Sequence, residues 1–141
     1  MTFSAEELTI TLTDDFKLEE EEGATARFAD NTVVVLVYKE QFNPTSSLSA
    51  MTADEYAELF CEVNAIPAQE LQRENGLLFL EQTQTMNSVM GEALEYRIFT
   101  TLHKGGGSFW LVDFIVVEEK AESYRDEIYT WAGSIEFSSE T

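Results

Sequence analysis

The chain has 141 residues, 44% of them hydrophobic and 12% aromatic, with one cysteine and a formal net charge of -19. That length and apolar bulk suit one domain with a core large enough to need no metal or disulfide staple, and they exclude a disordered chain. Acidity on this scale repels phosphate backbones and anionic lipid surfaces, which excludes nucleic acid as a partner; it serves solubility first and suits a basic protein partner second.

Cys61 has no second cysteine to pair with, which is compatible with a reducing compartment. Met1 to Thr11 carries no basic cluster and no apolar core, so it does not read as a signal peptide. No run approaches the ~18 apolar residues of a membrane span. As given, the sequence reads as soluble and cytoplasmic; a removed leader would place it outside.

Leu8, Ile10 and Leu12 alternate with Thr9, Thr11 and Thr13, the pattern of a half-buried strand. Asp14-Asp15 makes a turn, and Phe16 and Leu18 resume the alternation. Glu19, Glu20, Glu21 and Glu22 then run into Gly23. Adjacent like charges repel one another in a regular ladder, so this run predicts a hairpin tip or loop and a candidate acidic surface. Ala24 to Ala29 predicts a second strand, and Asp30-Asn31 a two-residue turn. Thr32 to Lys39, apolar from Val33 to Tyr38, predicts a strand covered on both faces. Gln41 to Ala50, with Pro44 and several serines, predicts a crossover loop.

Thr52 and Glu55 form a capping box and open a helix. Its apolar stripe is Tyr56, Leu59, Phe60, Val63 and Ile66, its wet side Glu55, Glu58 and Glu62, and Pro67 ends it. Gly76 to Thr83, Ala93 to Leu102 and Ser108 to Val117 predict three more strands, joined by Gln84 to Gly91 and by a five-residue turn, His103 to Gly107. A second helix follows over Lys120 to Ala132. Ala121, Tyr124, Ile128, Trp131 and Ala132 face inward, and Gly133 stands in the cap position. Ile135 and Phe137 form a short last strand. Strands joined by short turns pair antiparallel, and helices with one apolar stripe cover a sheet face. The prediction is a single α+β domain over residues 1–141: an α/β/α sandwich with a central antiparallel sheet of six to seven strands and two flanking helices.

Catalytic patterns are absent: no Gly-x-Ser-x-Gly elbow, no phosphate-binding glycine loop, no His-Glu-x-x-His. No cofactor and no metal site are predicted. The glycines at 105 to 107 lead into a strand, whereas a phosphate cradle needs a helix N-terminus. His103, the single histidine, borders that turn and is expected in solvent. Cys61 lies off the apolar stripe beside Ala57 and Ala65 and is expected to be an inert thiol, packed or half-exposed. Neither Asp14-Asp15 nor the glutamate run has the alternate spacing of a calcium loop.

Asp113 is the informative polar residue. It interrupts an apolar strand on the face of Leu111 and Ile115, where an unpaired carboxylate is costly. The five-residue turn would set Arg97 opposite it, so Arg97 and Asp113 are the candidate structural or site pair. The functional expectation is a non-enzymatic binding or accessory domain whose partner is a protein. The alternatives are a small-molecule or cation-binding module, and a small hydrolase or lyase using carboxylates, Asp113 among them, with His103 nearby.

The opening Leu8-Thr-Ile-Thr-Leu-Thr-Asp-Asp-Phe16 resembles the start of PsbP/DcrB-like domains. So do the Glu55-Tyr56 helix after a mid-chain loop and Phe109-Trp110-Leu-Val-Asp-Phe114 followed by an amphipathic helix ending in Trp131-Ala-Gly-Ser-Ile-Glu-Phe137. The resemblance spans nearly the whole chain and rests on packing motifs. It implies an α/β/α sandwich in a group of mostly non-catalytic families: photosystem accessory proteins, a nuclear Ran-GTPase-binding protein, envelope lipoproteins and chaperones for secreted toxins. It carries over no catalytic residue.

Overall fold

Apolar alternation makes a strand two-faced, and at the N-terminus it does so here: Leu8, Ile10 and Leu12 are all buried. The computed structural model describes residues 1–19, 23–40, 50–74, 76–87, 91–105 and 108–138. In it β1 (Thr2–Ala5) and β2 (Leu8–Thr11) form a hairpin. The last strand, β10 (Glu136–Phe137), pairs with the other side of β2. These three strands form a small sheet of their own, apart from the main one.

The main sheet contains β3 (Lys17–Glu19), β4 (Ala26–Ala29), β5 (Val34–Glu40), β6 (Gln72–Glu74), β7 (Leu77–Asn87), β8 (Ala93–Gly105) and β9 (Ser108–Val117). Its order is β3-β4-β5-β9-β8-β7-β6, antiparallel throughout. Strands β1 and β6 were not foreseen. The Gln72–Glu74 stretch is exposed at every position, so backbone pairing holds it and no hydrophobic period announces it.

The two helices, α1 (Ala53–Val63) and α2 (Ala121–Gly133), lie on opposite faces of the main sheet. Side chains along a strand alternate between faces. Trp110, Val112, Phe114 and Val116 join Ile128, Trp131 and the small sheet in one core. Phe109, Leu102 and Leu80 join Tyr56, Ala57 and Cys61 in the other. The result is the expected α/β/α sandwich. Trp131 anchors the larger core, edge-on to Phe16 at 5.2 Å between ring centroids and stacked on Phe114 at 6.4 Å.

Helix α1 starts as its sequence dictates. Thr52 Oγ1 accepts from the Glu55 N–H at 3.2 Å, and Glu55 Oε1 accepts from the Thr52 N–H at 3.0 Å. It stops earlier than Pro67 requires, because Ala65 turns left-handed (φ 56°). The Ile66 N–H then reaches the Cys61 carbonyl at 2.8 Å and the Ala65 N–H the Glu62 carbonyl at 3.3 Å, a Schellman end. The buried stripe is rotated from expectation: Tyr56, Ala57 and Cys61 face the sheet, while Val63 is 74% exposed. Gly133 is the last helical residue of α2, not its cap; Ser134 holds that place and receives the Thr11 N–H at 2.9 Å, tying α2 to β2.

Two expectations about β7 and β8 are overturned. The Gln84–Gly91 connection does not begin at Gln84, since β7 runs on to Asn87 as the arm of a long hairpin. Gln82, Thr83, Gln84 and Thr85 are exposed, so hydropathy ends there while the ladder continues. The turn before β9 is also shorter than five residues, because β8 extends to Gly105, which pairs with Ser108. Of the segments read as loops, Glu20 to Glu22, residues 41–49, residues 88–90 and Gly106-Gly107 lie outside the described residues.

Candidate functional site

The sequence marks β5 and β9 as strands covered on both faces. The structure covers one face fully: Val35, Val37, Trp110, Val112, Phe114 and Val116 are at 0% exposure. On the other, Leu36, Tyr38, Leu111, Asp113 and Ile115 are only half-buried. The reason is width. Seven strands about 4.8 Å apart make a sheet of roughly 30 Å, and a helix is ~10 Å across. Among the described residues, helix α1 packs on the ends of β7, β8 and β9 and leaves the middle of that face open. The opening is a trough of about 390 Å³, lined by Tyr38, Glu40, Phe60, Ile98, Leu111 and Asp113 among others.

Asp113 occupies the floor of this trough. Its cross-strand neighbours are Leu36 on β5 and Thr100 on β8. Burial pushes its carboxyl above the usual carboxylate range, against a hydrogen bond from the Thr100 side chain that favours the charged form. Its Oδ1 is buried and has no hydrogen-bond partner among the described residues. The Tyr56 hydroxyl, also buried, likewise meets no hydrogen-bond geometry, and burial together with the nearby Glu40 charge drives its pKa upward.

Arg97 is not the partner of Asp113. The tighter turn moves the register by three positions, so Val116 faces Arg97. An odd shift also reverses the face. Arg97 therefore sits on the α2 side, where its Nε donates to Glu118 at 2.9 Å, Nη2 donates to the other oxygen of Glu118, and Nη1 donates to Glu81 at 2.8 Å. Arg125 and Tyr129 of α2 converge on the same Glu81, at 2.5 and 2.9 Å. This network ties β7, β8 and α2 together.

The other sequence candidates are placed as follows. Glu19, the described member of the acidic run, pairs with Arg27 at 2.8 Å. His103 is not in solvent: it lies on the α2 face, its Nε2 2.8 Å from Thr101 Oγ1 and its ring 6.3 Å from Phe137, and burial pushes its pKa down to about 4. Cys61 is buried under α1, and burial pushes its thiol up. On β5, the Lys39 ammonium is held by Glu7 at 2.8 Å and Glu6 at 3.1 Å. Among the described residues, no three His, Cys, Asp or Glu side chains converge as a metal site, and no helix is long and apolar enough to cross a membrane.

No family model matches the sequence, and no curated protein matches it. Solved structures do. The solution structure of cyanobacterial PsbP (CyanoP) from Synechocystis sp. PCC 6803 matches with a TM-score of 0.60 at 15% identity, over 98% of this chain and 91% of that one. The fold is PsbP/DcrB-like. A crystal structure from Bacteroides thetaiotaomicron VPI-5482 agrees, with a TM-score of 0.63 at 12% identity over 96% of this chain; the chain spans about half of that protein, 47% of its length. The trough is thus a feature of the α1 face of a PsbP-like sandwich. Sequence reasoning found Asp113 but missed the trough. The available signal was arithmetic: one amphipathic helix per face is too narrow for seven strands.

Proposed function

We propose that this domain is a non-enzymatic accessory module that binds a protein through the open middle of its main sheet. The observation that carries the reading is the half-buried apolar row Leu36, Ile98, Leu111 and Ile115, which no described helix covers beside α1. Apolar rows of this kind, rimmed by polar groups, mark interaction surfaces. The separation of the reactive side chains supports it further. Asp113 and His103 stand on opposite faces of the sheet, and the Cys61 thiol is buried. Among the described residues the histidine meets one hydroxyl, Thr101 Oγ1 at 2.8 Å. Thr101 is fully buried and its hydroxyl donates to the Val112 carbonyl, so that pair is not open to a substrate as covalent or acid–base chemistry requires.

A net charge of -19 suits a basic partner. Electrostatic steering then makes association fast at low salt and slow at high salt. The test is retention of a partner from an extract of the source cells at low salt. It should be released at about 0.5 M salt, where charges screen within a few ångströms, and should not be retained by Leu111→Glu. A partner held equally by Leu111→Glu and wild type would overturn the reading.

A further inference from the structure

A buried polar atom without a partner asks for an explanation, since leaving it unpaired carries its full desolvation penalty. Asp113 Oδ1 is such an atom: it is closed to solvent, on a carboxylate that lines an open trough and is left short of partners among the described residues. Apolar side chains form part of the trough wall, Ile98 and Leu111 on the flanking strands and Phe60 on α1, beside the polar Gln82, Thr100 and Lys39. The second carboxylate at the rim is Glu40. Arg97 is spent on Glu118 and Glu81 across the sheet, Lys39 on Glu6 and Glu7, and Lys104 on the Met51 carbonyl. The described cations nearby are thus turned elsewhere.

We propose that the trough receives a lysine side chain of the partner protein, its aliphatic stem against Ile98, Leu111 and Phe60 and its ammonium against the Asp113 carboxylate where it lines the trough. This rests on the protein-binding reading above and names the chemistry of its contact. A lysine stem buries methylenes while its head seeks an acceptor. The trough offers both in that order, and its volume of about 390 Å³ holds a side chain and its flanking backbone. Glu40 adds a second negative charge at the mouth, which strengthens the attraction for an ammonium on its way in.

The test uses the whole chain and a probe that carries the chemistry alone. Pentylammonium is titrated into the ¹⁵N-labelled protein to roughly ten times a millimolar dissociation constant, beside pentanol as the uncharged analogue. Amide shifts are expected at Ile98, Thr100, Leu111 and Asp113, with pentanol at least about tenfold weaker. Asp113→Asn, which keeps the side chain's shape, is expected to abolish the ammonium preference. Equal binding of pentanol, or shifts scattered over the glutamate-rich surface and unchanged by Asp113→Asn, would overturn the proposal. The two readings fail separately. A partner retained in full by Asp113→Asn but lost by Leu111→Glu leaves the docking face and removes the lysine contact. Pentylammonium bound at Asp113 with no partner retained leaves the contact chemistry and removes the protein.

Discussion

Glu81 and Arg97 meet at 2.8 Å diagonally across the β7–β8 pair, and Arg125 of α2 reaches the same carboxylate oxygen from above. Two guanidinium groups therefore share one anion, and all three side chains are less than a third exposed. Glu81→Ala removes that anion and leaves the two arginines facing each other. A loss of about 2–3 kcal/mol is expected, on the scale of charge-assisted hydrogen bonds in partly buried sites. Urea unfolding would measure it, and a midpoint equal to wild type would refute the network's importance.

The same carboxylate sets an acid limit on stability. Burial raises its pKa, yet the bonds from Arg125, Tyr129 and Arg97 outweigh burial and hold it below the ordinary 4.5. A group whose folded pKa is depressed contributes stability that is complete above its unfolded value and lost as the pH falls through the folded one. Glu81→Gln should therefore lose stability at neutral pH and show a flatter decline than wild type below about pH 4.5. Thermal melts across that window would show it.

Gly105 leaves no room for a side chain. A Cβ there would collide with the Phe137 ring, which also lies 5.4 Å from Trp110, while Trp110 Nε1 donates to the Gly105 carbonyl at 2.9 Å. Gly105→Ala should displace β10 from its place against the end of β8, at a cost of about 1–3 kcal/mol. A changed tryptophan emission together with a lower melting temperature is the expected result; an unchanged emission would mean that Phe137 yields without cost.

The legible parts of the fold are those set by near neighbours in sequence. Thr52 and Glu55 are three residues apart, so their capping box is written locally, and the Ile128–Trp131 stripe has a period. The register of β8 on β9 is different. It depends on how many residues the Lys104 to Ser108 glycine segment spends in the turn, and a three-position change sent Arg97 to the opposite face from Asp113. The arginine network was hidden for a related reason: Arg125 and Glu81 are 44 residues apart and meet only once α2 has docked. The hairpin arm of β7 escaped notice because polar residues on both of its faces leave no hydropathy to read.

Ala65 is a non-glycine residue in the left-handed region, at the position where glycine usually ends a helix. Its side chain is exposed, so nothing is gained from the methyl group in compensation. Ala65→Gly should stabilise the protein by about 1 kcal/mol, the order of the left-handed penalty for an L-residue. A lower unfolding midpoint in this variant would show that the unfolded-state entropy of glycine outweighs the relief.

Asp113 supplies the opposite pH signature to Glu81. Its folded pKa is raised above the ordinary 3.8 by burial, against the Thr100 hydrogen bond. The sign therefore reverses: no penalty exists where both states are protonated, and one develops as the pH rises from 3.8 through the folded value. Asp113→Asn cannot ionise and escapes that penalty. It should match wild type near pH 3 and exceed it in stability near pH 7, with the gap opening between them. Such a residue costs the free domain stability at neutral pH, which is the behaviour of a group kept for a contact made only with a partner. If Asp113→Asn were instead less stable at neutral pH, the carboxylate would have a paired role within the fold, and its place as a binding group would be lost.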